Sequence, residues 1–202
     1  MINLFEPNPR KETIGLIKNI FNKKYFYKDK YCALFSKKFS KFQKISEKKI
    51  IFGASCSDLI FNIMFTTKHL IKKKLVVVPS NSFPAIPSAV IRAGLNLLVL
   101  DIDSTTGNIS LDALKKINKK NIGCIFLTHY GGLPVNIDAI KKIFNKETLI
   151  FEDCAGALGS FYNHKSSLGS KGDFACWSFD PMKMITCGEG GVAYIKNKKI
   201  YE

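Results

Sequence analysis

A chain of 202 residues can bury a substantial core, and a composition 46% hydrophobic and 12% aromatic excludes a disordered tail. No apolar run approaches the roughly 18 to 20 residues that cross a bilayer. The opening MINLFEPNPRKE is broken by proline and charge before a signal-peptide core could form, so the expectation is a cytoplasmic protein without membrane insertion.

The net charge of +15 is unevenly spread: the first 50 residues hold 13 Lys/Arg against 4 Asp/Glu, and the remaining 152 hold 18 against 12. A basic front of this kind leaves nucleic acid or anionic ligands open. However, the Lys, Ile, Asn and Phe bias runs through the whole chain and only Arg10 and Arg92 are arginines, so a solvated lysine face is the simpler reading. No specific nucleic acid is expected. The six cysteines are scattered without a Cys-x-x-Cys pair, and His69, His129 and His164 are far apart, so no metal is expected.

Residues 1–49 alternate apolar clusters with lysines and read as a basic, partly helical leader rather than a second core. Its expected helical faces are Ile14, Ile17, Ile20 and Phe21, and then Phe35, Phe39 and Phe42. From residue 50 the pattern becomes regular. IIF (50–52) reads as a strand, GASCSD (53–58) as a turn, and the next stretch as a helix burying Leu59, Ile60, Ile63, Met64 and Leu70. LVVVP (75–79) is a strand stopped by proline, and a helix near 85–93 ends at Gly94. NLLVLDID (96–103) is a strand, and Ser110 caps a helix burying Leu111, Leu114 and Ile117. IGCIFLTH (122–129) is a strand, and Asn136 caps a helix burying Ile137, Ile140 and Phe144. TLIFED (148–153), FACWSF (174–179) and VAYI (192–195) complete the strands. Near-continuous apolar strands alternating with amphipathic helices imply an α/β fold with a mainly parallel sheet.

In such sheets ligands gather where strand carboxyl ends lead into helices, and the polar residues collect there. GASCSD would offer the backbone N–H groups of Cys56, Ser57 and Asp58 to an anion at a positive helix end, although Ser57 or Asp58 as a plain N-cap is the simpler reading of that stretch alone. Asp153 ends an apolar strand, where a carboxylate must be solvated, capped or paired. Strand alternation sends Glu152 to the opposite face. Lys183 sits among apolar neighbours in SFDPMKMITCGEGG, and a lysine in an enclosed setting is a nucleophile toward carbonyls. The glycines that follow permit a tight turn or close approach of a ligand. An anion site, an acidic strand end and such a lysine together match what pyridoxal phosphate requires.

The stretch from FEDCAGALGS through SFDPMKMITCGEGGVAYI (151–195) resembles the longest signature of the DegT/DnrJ/EryC1/StrS family of sugar aminotransferases. VVVPSNSFPAIPSAVIRAGLNLLVLDID (76–103) and THYGGLPVNIDAI (128–140) resemble two further blocks, in the family's order. The resemblance implies the three-layer pyridoxal-phosphate-dependent transferase fold of the aspartate aminotransferase type I. It implies a cofactor-binding large domain over 50–202, incomplete and without the small C-terminal domain.

By resemblance, Lys183 is the Schiff-base lysine, Asp153 partners the pyridine nitrogen and Phe83 stacks on the cofactor ring. Ser178, Cys56 and Ser57 hold the phosphate. The implied activity moves an amino group from an amino acid such as glutamate to a keto group of a nucleotide-linked sugar, in amino-sugar or surface-polysaccharide biosynthesis, by a homodimer. The sequence departs from the family pattern at Cys56, where glycine is usual, and at Gly156, where a Gln or His is usual. A non-catalytic relative that keeps the fold as a binding protein is the alternative. A dehydratase of the same family is disfavoured, because those relatives carry histidine in place of the lysine.

Overall fold

A computed structural model describes residues 11–24 and 30–201. The part of the leader at 1–10 and 25–29 lies outside the described residues. Seven strands form the main sheet: β1 (Ile50–Gly53), β2 (Leu75–Pro79), β3 (Asn96–Leu100), β4 (Ile122–Thr128), β5 (Leu149–Asp153), β8 (Phe174–Ser178) and β9 (Gly191–Ile195). Two short strands, β6 (Phe161–Asn163) and β7 (Ser166–Ser167), make a separate hairpin. The main sheet runs in the order β1-β9-β8-β5-β4-β2-β3. The pairs from β8 through β3 are parallel, whereas β9 is antiparallel to both β8 and β1.

The period-two alternation of each strand splits its side chains between two cores. Val76, Val78, Cys124, Phe126, Phe151, Phe174 and Cys176 pack against α3 (Cys56–Thr67) and α4 (Ala85–Arg92). Val77, Ile125, Leu127 and Ile150 face α5 (Leu111–Lys116) and α6 (Ile137–Ile143) on the other side. The result is helix, sheet, helix in three layers. A row of rings crosses the first core, with Phe126 stacked on Phe151 at 4.3 Å and Phe151 edge-on to Phe174 at 4.3 Å. Ser110 and Asn136 cap α5 and α6 by accepting from Ala113 N and Ala139 N, as their residue types lead one to expect.

The leader forms α1 (Lys11–Asn22) and α2 (Lys30–Gln43). α1 buries none of its residues, so the expected face of Ile14, Ile17 and Phe21 is exposed. α2 docks on the body of the fold: Phe39 is buried, meets Trp177 edge-on at 5.2 Å and stacks on Phe35 at 5.5 Å. Phe42, expected on that face, turns out to solvent.

Three other expectations change in detail. Leu70 lies beyond the end of α3 and is exposed, and its place in the core is taken by Ile71. β3 stops at Leu100 rather than Asp103, because the chain turns where the Asp103 carboxylate accepts from the backbone and hydroxyls of Thr105 and Thr106. The hairpin β6–β7 has no alternating pattern in its sequence, FYNHKSS, and went unforeseen.

Candidate active site

Three polar side chains share one face of the sheet at its carboxyl edge. Thr128, Asp153 and Ser178 end β4, β5 and β8, and each is an even number of residues from a side chain of the α3/α4 core. Thr128 and Asp153 are direct partners across β4 and β5. They open onto a cleft of about 390 Å3 that is also lined by Cys56, Ser57, Asn81, Phe83, Tyr130, Gly156 and Lys183. The cleft therefore brings together all six residues singled out from the sequence.

Asp153 is the best-held of these. It is 5% exposed, its Oδ1 accepts from Ala155 N at 3.0 Å, and its Oδ2 accepts from the Thr128 hydroxyl at 3.2 Å. Burial pushes its carboxyl above the usual aspartate value, against the pull of the Ala155 N–H, the Thr128 hydroxyl and the Lys183 charge. A cationic partner in the cleft would pull it back down.

α3 points its N-terminus into the cleft. Its N-cap is Ser55, which accepts from Asp58 N at 3.0 Å, so neither Ser57 nor Asp58 has that role. With Ser55 as cap, Cys56 and Ser57 are the first residues of the helix, and their N–H groups have no intrahelical partner. The helix end lies directly over the first residue of β9. A Cβ built on Gly191 would fall 2.5 Å from the backbone of both Ser55 and Cys56, so this glycine is what admits the close approach. In register, Gly191 pairs with Ser178 on one side and Gly53 on the other. Ser178 thus pairs with the glycine that lies under the end of α3, and Ser178 and the helix end line the same cleft.

Lys183 stands on the loop from β8 to β9. The loop is closed at its base, where Phe179 N donates to Gly190 O and Cys187 N donates to Phe179 O. At its tip Lys183 N and Met182 N bond the Asp180 main chain and carboxylate. The lysine is half-buried, while its apolar neighbours Met182, Met184 and Ile185 are 55%, 83% and 57% exposed. The setting is thus open on the side of those neighbours rather than enclosed, because the loop projects beyond the sheet edge. Phe83, 67% exposed, presents its ring at the cleft.

Glu152, the neighbour of Asp153, is fully buried on the opposite face and accepts from His129, Tyr162 and the N–H groups of Gly169, Lys171 and Gly172. Burial alone would raise its carboxyl, but the bonds from His129, Tyr162 and Gly172 outweigh it and hold the value below that of an ordinary glutamate. Sequence reasoning placed Glu152 on the far face but missed this role, as it missed Thr128 and Asn81. Thr128 could have been found from its position at the end of the strand beside Asp153.

A three-layer α/β fold with a helix N-terminus, a buried acid and a lysine at one sheet edge is the arrangement of the pyridoxal-phosphate-dependent transferases. Within that class, the profile of the DegT/DnrJ/EryC1/StrS aminotransferase family matches residues 7–202, and the chain belongs to this family.

Among curated relatives, it is 29% identical over 201 residues to a dTDP-4-dehydro-2,3,6-trideoxy-D-glucose 4-aminotransferase of Saccharopolyspora spinosa, covering 99% of this chain and 52% of that protein. It is 35% identical over 134 residues to a UDP-4-amino-4,6-dideoxy-N-acetyl-beta-L-altrosamine transaminase of Campylobacter jejuni, covering 64% and 35%. Among solved structures, the aminotransferase TlmJ from Streptoalloteichus hindustanus superposes with a TM-score of 0.87 at 23% identity, over 100% of this chain and 55% of that one. The chain spans about half the length of the full-coverage relatives it matches.

Proposed function

We propose that the chain is the cofactor-binding portion of a pyridoxal-phosphate-dependent sugar aminotransferase. The observation that carries this reading is the convergence of the Asp153 carboxylate, the Lys183 amine, the Ser178 hydroxyl and the N-terminus of α3 on one cleft. The residues fit the cofactor chemically. A buried carboxyl group that lines the cleft suits a protonated pyridine nitrogen, and the exposed Phe83 ring suits an aromatic face. Two free N–H groups at a helix end, with the Ser178 hydroxyl, suit a phosphate.

When bound, pyridoxal phosphate supplies an electron sink that lets a carbon-bound proton leave next to an amine. Lys183 Nζ is the amine that would hold the cofactor's aldehyde end, and as the one lysine among the described residues lining the cleft it would be the base and acid that carries the proton. Asp153, its two oxygens fixed by the Thr128 hydroxyl and Ala155 N–H, would hold the ring nitrogen in its protonated form. Cys56, Ser57 and Ser178, which line the same cleft, would hold the phosphate end. The amino donor is an amino acid such as glutamate and the acceptor is a keto group of a nucleotide-linked sugar, in a homodimeric cytoplasmic enzyme of amino-sugar or polysaccharide biosynthesis. The curated relatives named for dTDP- and UDP-linked sugars support that substrate class. Among the described residues, no helix is long and apolar enough to cross a membrane.

The test is borohydride reduction of the chain mixed with pyridoxal phosphate, followed by peptide mass spectrometry. The cofactor mass is expected on the Lys183 peptide, together with a visible absorption band that Lys183→Ala lacks. Equal labelling of wild type and Lys183→Ala, or labelling spread over surface lysines, would sink the assignment. A chain that folds and captures no cofactor is the outcome expected of a non-catalytic relative.

A further inference from the structure

The carboxylate that the cleft does not see accepts from five donors. Glu152 Oε2 accepts from His129 Nε2 at 2.9 Å, from the Tyr162 hydroxyl at 2.5 Å and from Gly169 N at 2.8 Å. Its Oε1 accepts from Lys171 N at 2.8 Å and from Gly172 N. These donors come from β4's end, the β6–β7 hairpin and the 169–172 turn. One buried charge thus ties three segments behind the cleft.

His129 is the link to the front. Its Nδ1 accepts from Val135 N at 3.1 Å, so that nitrogen is bare and the ring proton sits on Nε2, facing Glu152. Its backbone N–H donates to Asp153 O at 3.1 Å, and its chain neighbour Thr128 supplies the hydroxyl on Asp153 Oδ2. Ligand atoms of His129, Glu152 and Cys154 lie within 4.8 Å of one another, yet these bonds already occupy Nδ1 and both carboxylate oxygens.

We propose that Glu152 is a positioning residue: it fixes the Nε2–H tautomer of His129 and, through the end of β4, the hydrogen bonds that orient Asp153 in the cleft. This rests on the reading of Asp153 as the cofactor's partner. Strand alternation separates the two acids, and His129 reconnects them around the sheet edge.

The first arm of the test needs no cofactor. In the chain labelled with 15N-histidine, nitrogen shifts and their couplings to ring protons show which nitrogen carries the proton, and the loss of one spin system in His129→Asn identifies the residue. A bare Nδ1 and protonated Nε2 are expected; a proton on Nδ1, or averaged nitrogens, overturns the proposal without any variant at Glu152. In the second arm, Glu152→Gln is checked for folding by circular dichroism and titrated with pyridoxal phosphate. Its affinity falls on the order of tenfold, as for other groups that orient a ligand-holding side chain, and its His129 nitrogens lose the wild-type signature. A folded Glu152→Gln with wild-type affinity and signature overturns the proposal; if that variant does not fold, His129→Asn, which removes the link and leaves Glu152 in place, is titrated instead, and wild-type affinity in it overturns the proposal. Failure of the functional reading looks different, because wild type itself would then capture no cofactor while the His129 signature stood.

Discussion

At the scale of single residues, the adjacent acids Glu152 and Asp153 show how environment divides one residue type into two roles. Asp153 has its carboxyl raised by burial, so its contribution to stability is fully present below the ordinary aspartate value and is lost as pH rises through the folded value. Glu152 has its carboxyl lowered, so its contribution is present above the ordinary glutamate value and is lost as pH falls through the folded one. Asp153→Asn is therefore expected to stabilise the cofactor-free chain at neutral pH by about 1 kcal/mol, as functional carboxylates often do on removal, while weakening the proposed capture of pyridoxal phosphate. Urea unfolding at acid and neutral pH checks this: the gain should shrink on acidification. A variant less stable than wild type at neutral pH would contradict it.

At the scale of elements, the site is made by where strands end. The parallel run β4, β5 and β8 delivers Thr128, Asp153 and Ser178 to one edge, and antiparallel β9 begins at that same edge with Gly191 under α3. Gly191→Ala should cost about 1–3 kcal/mol by overpacking and weaken cofactor capture more than global stability, because the added methyl pushes on the backbone of Ser55 and Cys56. Thermal denaturation with and without pyridoxal phosphate separates the two effects.

Much of this was legible in the sequence. The apolar runs LVVVP, IGCIFLT and LIFED announced central strands, Ser110 and Asn136 announced caps, and alternation put Glu152 and Asp153 on opposite faces. What stayed hidden depends on contacts between distant segments. The donors that satisfy Glu152 include three backbone N–H groups 17–20 residues downstream, which leave no side-chain signal. The Ser55 cap was masked by two equally suitable neighbours, and the openness of Lys183 follows from the reach of its loop, which composition does not encode.

At the scale of the whole molecule, α2 is tied to the sheet through Phe39, Trp177 and Phe179, so the basic front of the chain is structurally coupled to the strand that ends at Ser178. Phe39→Ala should cost about 3–5 kcal/mol, and calorimetry should show one transition displaced downward; an unchanged transition would mean that α2 docks without stabilising the body. Trp177 gives this arrangement a further consequence. It is the chain's one tryptophan, it is fully buried, and it stands one residue before the proposed phosphate contact Ser178 and beside Phe39. Its fluorescence is therefore an optical gauge built into the chain: undocking of α2 should redden the emission, and arrival of a chromophore that absorbs near it should quench the emission with its colour unchanged. A single spectrum would then tell a loosened front from an occupied cleft.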